Sequence, residues 1–416
     1  MSQKKILLIT YYFPPLGGAG IGRPLALFQN LPAYNYDCHV LTVKPVLYRA
    51  YEPELLDEID NAKIFRSGSR DPSRLLYLLG VRHVKTKLSN DSRNISKKFF
   101  PDAKAGWISP AVRLGKKLIS KNEYDLILST SPPISAHVIA QELAQVSGIP
   151  WVADFRDFWT SYKAEDYFNS EQKIQKAKEL LGEIKNSAKA VVAVNESVGN
   201  YVGAHNIIVN SYDSRLAKHW RFPVDKSKFT IGVFGTLSEL TPIEPLLKVL
   251  KQLKKSRPDL FSKIKVLQVG QVDRDWLKRH IAEYELQTIF DIKQYQSRKT
   301  AIELLSEAAL FYVGVSDLGF GLTTNRIFTL LSSGRLILAY TESGSELDRI
   351  IKHSANSFRF GDDNIIEAER YLSQAAQKYF NGDLAIDIEP ASIREFSSER
   401  MVEKFVRVFD LVMPTK

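Results

Sequence analysis

Apolar positions fall into two spacings along the chain, and the two alternate from one end to the other. Short apolar runs at 5–10, 37–42, 63–66, 125–129, 151–155, 190–194 and 206–209 read as strands. Between most of them lie stretches with apolar residues three and four apart, at 23–31, 109–120, 134–146 and 171–186, which read as amphipathic helices. Several strand runs show no polar alternation, the pattern of parallel strands buried on both faces. Strands interleaved with helices predict a doubly wound α/β domain.

The alternation pauses at 213–228, a charged and aromatic stretch without a period that reads as a connector. A second series follows, with strands at 229–234, 264–269, 289–292, 310–315, 336–340 and 357–360. Its helices fall at 242–254, 273–284, 301–306, 325–332, 346–352 and 364–379. A last amphipathic stretch, 392–412, has no strand after it. The expected class is α/β, with two doubly wound Rossmann-like domains facing a central cleft. The N-terminal domain covers 1–213 and is rejoined by the C-terminal helix in 391–416; the C-terminal domain covers 214–390. Open parallel sheets bind ligands beyond the carboxyl ends of their strands, so chemistry is expected in those loops and in the cleft between the domains.

Composition narrows the class. Hydrophobic residues make up 44% and charged residues 25%, which excludes a disordered or fibrous chain. No run approaches the ~20 apolar residues of a membrane span. The N-terminus leads straight into a strand-length run, which is not the pattern of a signal peptide. Cys38 is the single cysteine, so no intramolecular disulfide forms and a reducing compartment is expected. The net charge of +10 is local: residues 74–121 hold twelve Lys or Arg and two acids, Asp91 and Asp102, and the rest of the chain balances. Such a window suits an anionic membrane surface, or alternatively is a solvated helical face. No aromatic–basic interleaving or recognition motif supports a nucleic-acid partner.

Three segments carry candidate chemistry. The first strand ends in Tyr11-Tyr12-Phe13-Pro14-Pro15-Leu16-Gly17-Gly18-Ala19-Gly20-Ile21-Gly22-Arg23, a glycine-rich passage from strand to helix where the backbone can approach an anion. It misses the dinucleotide fingerprint, because the third glycine would fall at Arg23. The second constellation is Ser129-Thr130-Ser131-Pro132-Pro133 with His137, followed by Trp151 to Trp159, which contains Asp154, Arg156 and Asp157. Carboxylates and arginine bind hydroxyls and tryptophans pack on sugar faces; the alternative is an Arg156 ion pair with Asp154 or Asp157 among core tryptophans. The third, Gly319 to Arg335, reads as a polar helix start, with Asn325 and Arg326 in the first turn where a phosphate or ribose could be met. Asp273-Arg274-Asp275 has a metal-binding spacing, but it opens a helix and Asp273 reads as an N-cap. The histidines show no ligand spacing.

Taken in order, these segments resemble the family-four glycosyltransferases of the GT-B fold, close to bacterial enzymes that build surface polysaccharides. The opening Ile-Thr-Tyr-Tyr-Phe-Pro-Pro with Gly17 and Gly18, the 129–133 segment, Trp151 to Trp159 and Phe328 to Leu338 carry the resemblance most strongly. Pro101-Asp102, Gly106-Trp107 and Gly235-Thr236-Leu237 fit it too. The resemblance implies retaining, metal-independent transfer of a sugar from a nucleotide sugar, which is a substrate, with no cofactor. It places the donor against Gly17, Gly18, Gly235, Thr236, Asn325, Arg326 and Thr329. The acceptor, a glycan or a lipid-linked molecule, would meet Tyr12, Ser131, His137, Arg156 and Trp159, with Asp154 or Asp157 as the catalytic carboxylate. The location implied is cytoplasmic, peripheral on the inner face of the plasma membrane. The chain departs from the family at Arg326 and Thr329, where a lysine and a glutamate are usual, and at 235–245, where Glu239 and Glu244 stand without a base. Arg326, Arg23 and backbone amides are the remaining candidates for a diphosphate. The missing glutamate supports an alternative, a non-catalytic GT-B scaffold that binds a glycan, a lipid or a partner enzyme; a third reading is a nucleotide-sugar epimerase.

Overall fold

The computed structural model describes residues 3–48, 50–81, 99–159, 170–223, 225–317, 321 and 325–413. The chain divides into two compact units, Met1–Asn210 with Ser398–Lys416, and Ser211–Ser397.

The first unit is built on seven strands: β1 Lys4–Ile9, β2 Tyr36–Val43, β3 Ile64–Ser67, β4 Leu126–Ser131, β5 Trp151–Phe155, β6 Ala190–Ala193 and β7 Asn206–Ile207. Their order is β3-β2-β1-β4-β5-β6-β7, and every pairing is parallel. The second unit holds six: β8 Phe229–Phe234, β9 Ile264–Val269, β10 Phe290–Lys293, β11 Ala308–Gly314, β12 Leu336–Tyr340 and β13 Ser357–Phe360. They run β10-β9-β8-β11-β12-β13, again all parallel. The apolar runs are the central strands: Ile6, Leu7, Leu8 and Ile9 in β1 and Ala309, Leu310 and Phe311 in β11 are completely buried. In each sheet the strand order reverses beside the first strand, between β1 and β4 and between β8 and β11. Crossover loops diverge there and leave a crevice at the carboxyl edge.

The helix Ser398–Val412 buries Met401, Val402, Phe405, Val408 and Phe409 in the first unit's core, one stripe at helical spacing. Its Asp410 accepts from Lys4 Nζ at 2.9 Å and Tyr36 Oη at 2.7 Å. The last helix expected over 392–412 is thus shorter. A 3-10 turn, Ala391–Phe396, precedes it and belongs to the second unit, where Phe396 packs on Phe328 and His353. Two short helices escape the apolar periodicity because polar caps rather than a long stripe define them: Pro72–Leu78, capped by Asp71, and Glu196–Val202, capped by Asn195. The connector is not structureless either. Asp213 caps a turn of helix, Ser214–Ala217. The buried Arg335 guanidinium donates to the carbonyls of Ala308, Ser306 and Arg221 beneath the Trp220 ring, tying the connector to the second unit.

One buried cation organises the first unit. Arg23 stands in the helix Gly22–Asn30, directly after the glycine-rich turn, and is 2% exposed. Nε and Nη2 donate to the two oxygens of Asp154 at 2.9 and 2.7 Å, and Nη1 donates to Ile208 O at 2.7 Å and Val209 O at 3.2 Å. Its guanidinium lies 4.7 Å from the Phe405 ring. Asp154 is fully buried at the end of β5 and also accepts from Thr130 Oγ1 at 2.7 Å. Removing one partner strands the other charge without water, which typically costs about 3–5 kcal/mol. Asp154→Asn and Arg23→Met are each expected to lower the unfolding free energy by about that amount, read from denaturant titration; a loss under about 1 kcal/mol would mean that the pair is not a fold determinant.

Candidate functional site

In the first unit the candidate chemistry gathers at the carboxyl edge beside the β1–β4 reversal. Leaving β1, the chain turns through Gly17 and Gly18, and Gly18 needs its glycine because its φ is 82°. Both amides are already used: Gly17 N–H donates to Ala50 O at 2.8 Å, and Gly18 N–H to the buried Glu52 Oε1 at 3.3 Å. The turn is therefore packed against 50–52 instead of presenting these two donors to a diphosphate. Tyr12 is half-buried, with its ring against Tyr11 and Tyr48.

The two aspartates of the β5 segment separate sharply. Asp154, expected as one candidate for the catalytic carboxylate, has no water contact and belongs to the Arg23 pair; Arg23 in turn is committed there and is not a phosphate ligand. Asp157 is only half-buried, and the hydrogen bond its carboxylate takes from the chain comes from Phe158 N–H at 2.9 Å. Desolvation pushes its carboxyl up to about 6, against smaller lowering effects of that N–H and of Arg156. A carboxylate poised near neutrality can take a proton from a hydroxyl.

Arg156 makes no ion pair with either aspartate. Its Nε donates to Ser131 O at 2.8 Å, Nη1 to Gly20 O at 2.7 Å and Nη2 to Pro132 O at 3.4 Å, so it fastens the β4 and glycine-rich loops to the β5 loop. Burial pushes its guanidinium down to about 10. Three residues expected on the acceptor side lie inside the core instead. Ser131 is 2% exposed. Trp159 is buried, with Nε1 on Pro101 O at 3.2 Å. His137 is fully buried against Phe155, with Nδ1 2.7 Å from Ser129 Oγ and Nε2 without a hydrogen-bond partner among the described residues. Apolar surroundings push His137 down to about 3, so it stays neutral. Trp151 is buried as well and donates Nε1–H to the same Ser129 hydroxyl at 2.7 Å. These short alternations of polar and aromatic residues therefore serve the core.

In the second unit the corresponding edge lies beside β8 and β11. Gly235, at φ 94°, leaves β8 so close to β9 that a Cβ on Gly270 would stand 2.3 Å from Gly235 O. The half-buried Arg326 Nη1 donates to Phe234 O at 2.6 Å and Thr236 O at 3.1 Å, on either side of that glycine. Burial pushes Arg326 down to about 10, still charged at neutral pH. Arg326 opens the helix Arg326–Leu331, and Thr329, one turn later, is half-buried. Asn325 occupies the N-cap position, and Thr236 is exposed. The edge thus presents a cation, a hydroxyl pair and an N-cap amide, without a carboxylate at the Thr329 position. Residues 318–320 and 322–324, from the run ahead of this helix, lie outside the described residues. Asp273 caps the helix Arg274–Glu283 through the N–H groups of Asp275 and Trp276. Among the described residues no three of His, Cys, Asp or Glu gather as a metal site would require.

No family model and no curated protein matches the sequence. Solved structures do. Sucrose-phosphate synthase from Thermosynechococcus elongatus superimposes with a TM-score of 0.65 at 13% identity over 98% of each chain. Anabaena HepE in complex with UDP and glucose gives 0.62 at 15% identity over 98% of this chain and 100% of its own. The lipopolysaccharide outer core galactosyltransferase WaaB gives 0.57 at 12% identity over 98% and 99%. The chain has a GT-B-like fold. In the GT-B-like frame the carboxyl edges of both sheets are the loops just described.

Sequence reasoning missed the Arg23–Asp154 pair and the use of the glycine-rich amides by 50–52, because the partners are far apart in the chain and carry no local signature. The Asp157 environment predicts a pH signature. Its carboxyl, at about 6 when folded and 3.8 ordinarily, keeps a proton that the unfolded chain has released, so its contribution to stability falls as pH rises between those values. His137, at about 3 when folded and 6.5 ordinarily, works in the opposite sense, and its contribution rises with pH through that span. Asp157→Asn should therefore steepen the rise of Tm from pH 4 to 6; parallel profiles for variant and parent would show that Asp157 titrates normally.

Proposed function

We propose that the chain is a retaining, metal-independent glycosyltransferase that moves a sugar from a nucleotide-sugar donor to a glycan or lipid-linked acceptor in surface polysaccharide synthesis. The observation that carries this reading is the matching over 98% of the chain to GT-B structures, one of them described with UDP and glucose, together with a charged group at the strand-reversal edge of each unit. The second unit takes the donor. Arg326 offers charge-assisted donors to the diphosphate, Thr236 and Asn325 add neutral ones, and Thr329 faces the ribose in place of the usual carboxylate. The first unit takes the acceptor, with Tyr12 beside it and Asp157 orienting or deprotonating its hydroxyl. Arg156 holds the loops in register. The reading includes an anionic membrane surface as partner and a peripheral, cytoplasmic place for the enzyme. Among the described residues no helix is long and apolar enough to cross a membrane.

A second reading has one specific observation behind it. With Gly17 and Gly18 donating to Ala50 O and Glu52 Oε1, and with threonine at position 329, a non-catalytic scaffold that binds a glycan, a lipid or a partner enzyme also fits.

A thermal-shift screen against UDP-, GDP-, ADP-, dTDP- and CMP-linked sugars separates the two. An active enzyme should be stabilised by one of them, by about 2.7 kcal/mol at a hundredfold excess over Kd. Arg326→Ala should then weaken that donor about ten- to a hundredfold, the loss of a charge-assisted contact, while Tm without ligand reports any disturbance of the Gly235 turn. Thr329→Glu should tighten binding if a ribose carboxylate is merely absent. No stabilisation by any nucleotide sugar, and no transfer, would favour the scaffold.

A further inference from the structure

We propose that Arg66, Arg74 and Lys104 form an anion subsite on the first unit, and that its ligand is a phosphate ester carried by the acceptor. This rests on the proposed function and narrows the class of its acceptor.

Three cations sunk part-way from water, none of them given a carboxylate, carry the inference. All three are half-buried. Arg66, in β3, donates from Nη2 to Pro14 O and, at 3.5 Å, from Nη1 to Val43 O. Arg74, in the helix Pro72–Leu78, donates from Nη1 to Pro45 O. Lys104 donates from Nζ to Ser73 Oγ at 2.8 Å and stands 5.1 Å from the centre of the Tyr11 ring. Among the described residues none of the three makes an ion pair. Burial pushes the Arg66 guanidinium down, and it pushes Lys104 down against the raising effects of Asp71 and Asp102.

The two acids that act on Lys104 through their charge are otherwise engaged. Asp71 is 1% exposed and accepts from Tyr11 Oη at 2.9 Å, from Arg74 N–H at 3.0 Å and from the Ser69 and Ser73 hydroxyls. Asp102 accepts from Ser135 N–H at 2.8 Å, Ser135 Oγ at 2.9 Å and Lys104 N–H at 2.7 Å.

The three cations hang on adjoining segments. Val43 and Pro45 belong to the run that leaves β2. Lys44 N–H on Ser67 O at 2.8 Å and Leu47 N–H on Ser73 O at 2.9 Å lay that run beside the end of β3 and the root of the helix. Pro14 stands in the passage that leaves β1. The cluster therefore lies at the carboxyl ends of the β1–β3 strands, on the edge where the proposed function sets the acceptor. Tyr48, next after Leu47, has its ring 5.3 Å from that of Tyr12. Residues 82–98 of the basic window lie outside the described residues; Arg74 and Lys104 stand on either side of them.

Unspent donors select the ligand. Arg156 spends three nitrogens on carbonyls, whereas Arg74 spends one. Nε and Nη2 of Arg74, Nε of Arg66 and two of the Lys104 protons meet no acceptor among the described residues. A phosphate monoester brings about two negative charges and three acceptor oxygens, which suits three cations better than the single charge of a carboxylate. The backbone donors of this edge that could compete for it, at Gly17, Gly18 and Ser135, already have protein acceptors.

Thermal-shift titration of the full chain with inorganic phosphate and with glucose 6-phosphate tests the proposal, with sodium chloride at equal ionic strength and glucose as controls. Both phosphates should raise Tm saturably, and neither control should. Arg74→Gln and Lys104→Gln should each weaken both phosphates about tenfold, while Arg326→Ala, at the donor edge, should leave them unchanged. Arg66→Gln should act likewise; since Arg66 also holds the Pro14 carbonyl, the ligand-free Tm of each variant is read beside it, and Arg74→Gln, with one carbonyl to lose, keeps the test open if Arg66→Gln unfolds. No saturable response to phosphate overturns the proposal, as does a response undiminished in Arg74→Gln and Lys104→Gln, which would leave the three bases as carbonyl clamps like Arg156. Loss of nucleotide-sugar affinity in those variants, with phosphate binding intact, overturns it too, because the cluster would then serve the donor. Phosphate is titrated without a nucleotide sugar, so failure here and failure of the transferase reading are seen separately.

Discussion

A guanidinium that is 2% exposed cannot leave its N–H groups to water, and Arg23 meets that constraint by gathering three distant pieces of chain around itself. It takes both oxygens of Asp154 from the end of β5, the carbonyls of Ile208 and Val209 where the chain is about to leave the first unit, and the Phe405 ring where the chain has returned. Its own backbone begins the helix behind the glycine-rich turn. A buried ion pair of this kind is weak evidence for net stability, since apolar packing of equal volume could do as well. What the pair supplies is registry. A bidentate fork tolerates little change in angle, so the turn after β1, the end of β5 and the two ends of the unit's chain are set relative to one another.

The same solution recurs with weaker acceptors. Strand ends leave carbonyls without a ladder partner, and both units answer with an arginine that donates to several of them. Arg156 takes Ser131 O, Gly20 O and Pro132 O in the first unit, and Arg326 takes Phe234 O and Thr236 O in the second. Because carbonyls only partly offset a buried charge, burial lowers both guanidinium pKa values while leaving each positive at neutral pH. Each unit therefore carries a fixed cation at its strand-reversal edge. In the first, Arg156 sits beside Asp157, whose carboxyl stays high because desolvation outweighs the neighbouring charge. In the second, Arg326 faces no carboxylate across an ion-pair distance among the described residues. On the proposed reading this difference suits a hydroxyl acceptor at the first edge and a phosphate at the second.

Much of the fold was legible in the chain. Uninterrupted apolar runs marked the strands because both sheets are covered on both faces, and β5, β8, β9, β12 and β13 begin and end where the runs do. The last helix was read too long because the apolar pattern continues through 391–397, although Phe396 packs in the second unit. The site was less legible for a physical reason. Polar residues at strand ends look alike in sequence whether they face water or a buried partner. Asp154 and Asp157 stand three residues apart and differ entirely in what lies across the sheet, and His137 and Trp159 read as surface chemistry yet fill the core. Only Asp273, whose partners are its immediate neighbours, could be assigned from spacing alone.

The glycine-rich turn shows how far local pattern and final environment can diverge. Glycines between a strand and a helix ordinarily free backbone donors for an anion, and the anion nearest this turn belongs to the protein itself. Glu52 is 2% exposed and its contact with Gly18 N–H is long, at 3.3 Å, while Gly17 N–H is held at 2.8 Å by a neutral carbonyl. A phosphate arriving at this turn would meet a buried carboxylate of like charge and would have to replace bonds already made. At Arg326 it would meet a positive charge of which, among the described residues, Nη1 is the nitrogen committed to the loop carbonyls. On the proposed reading, Coulombic attraction and the lack of a carboxylate paired with Arg326 among the described residues both favour the second unit as the place for a diphosphate, and the glycine-rich turn, its two amides already bonded, shapes the first unit's edge around Tyr12 and Arg156.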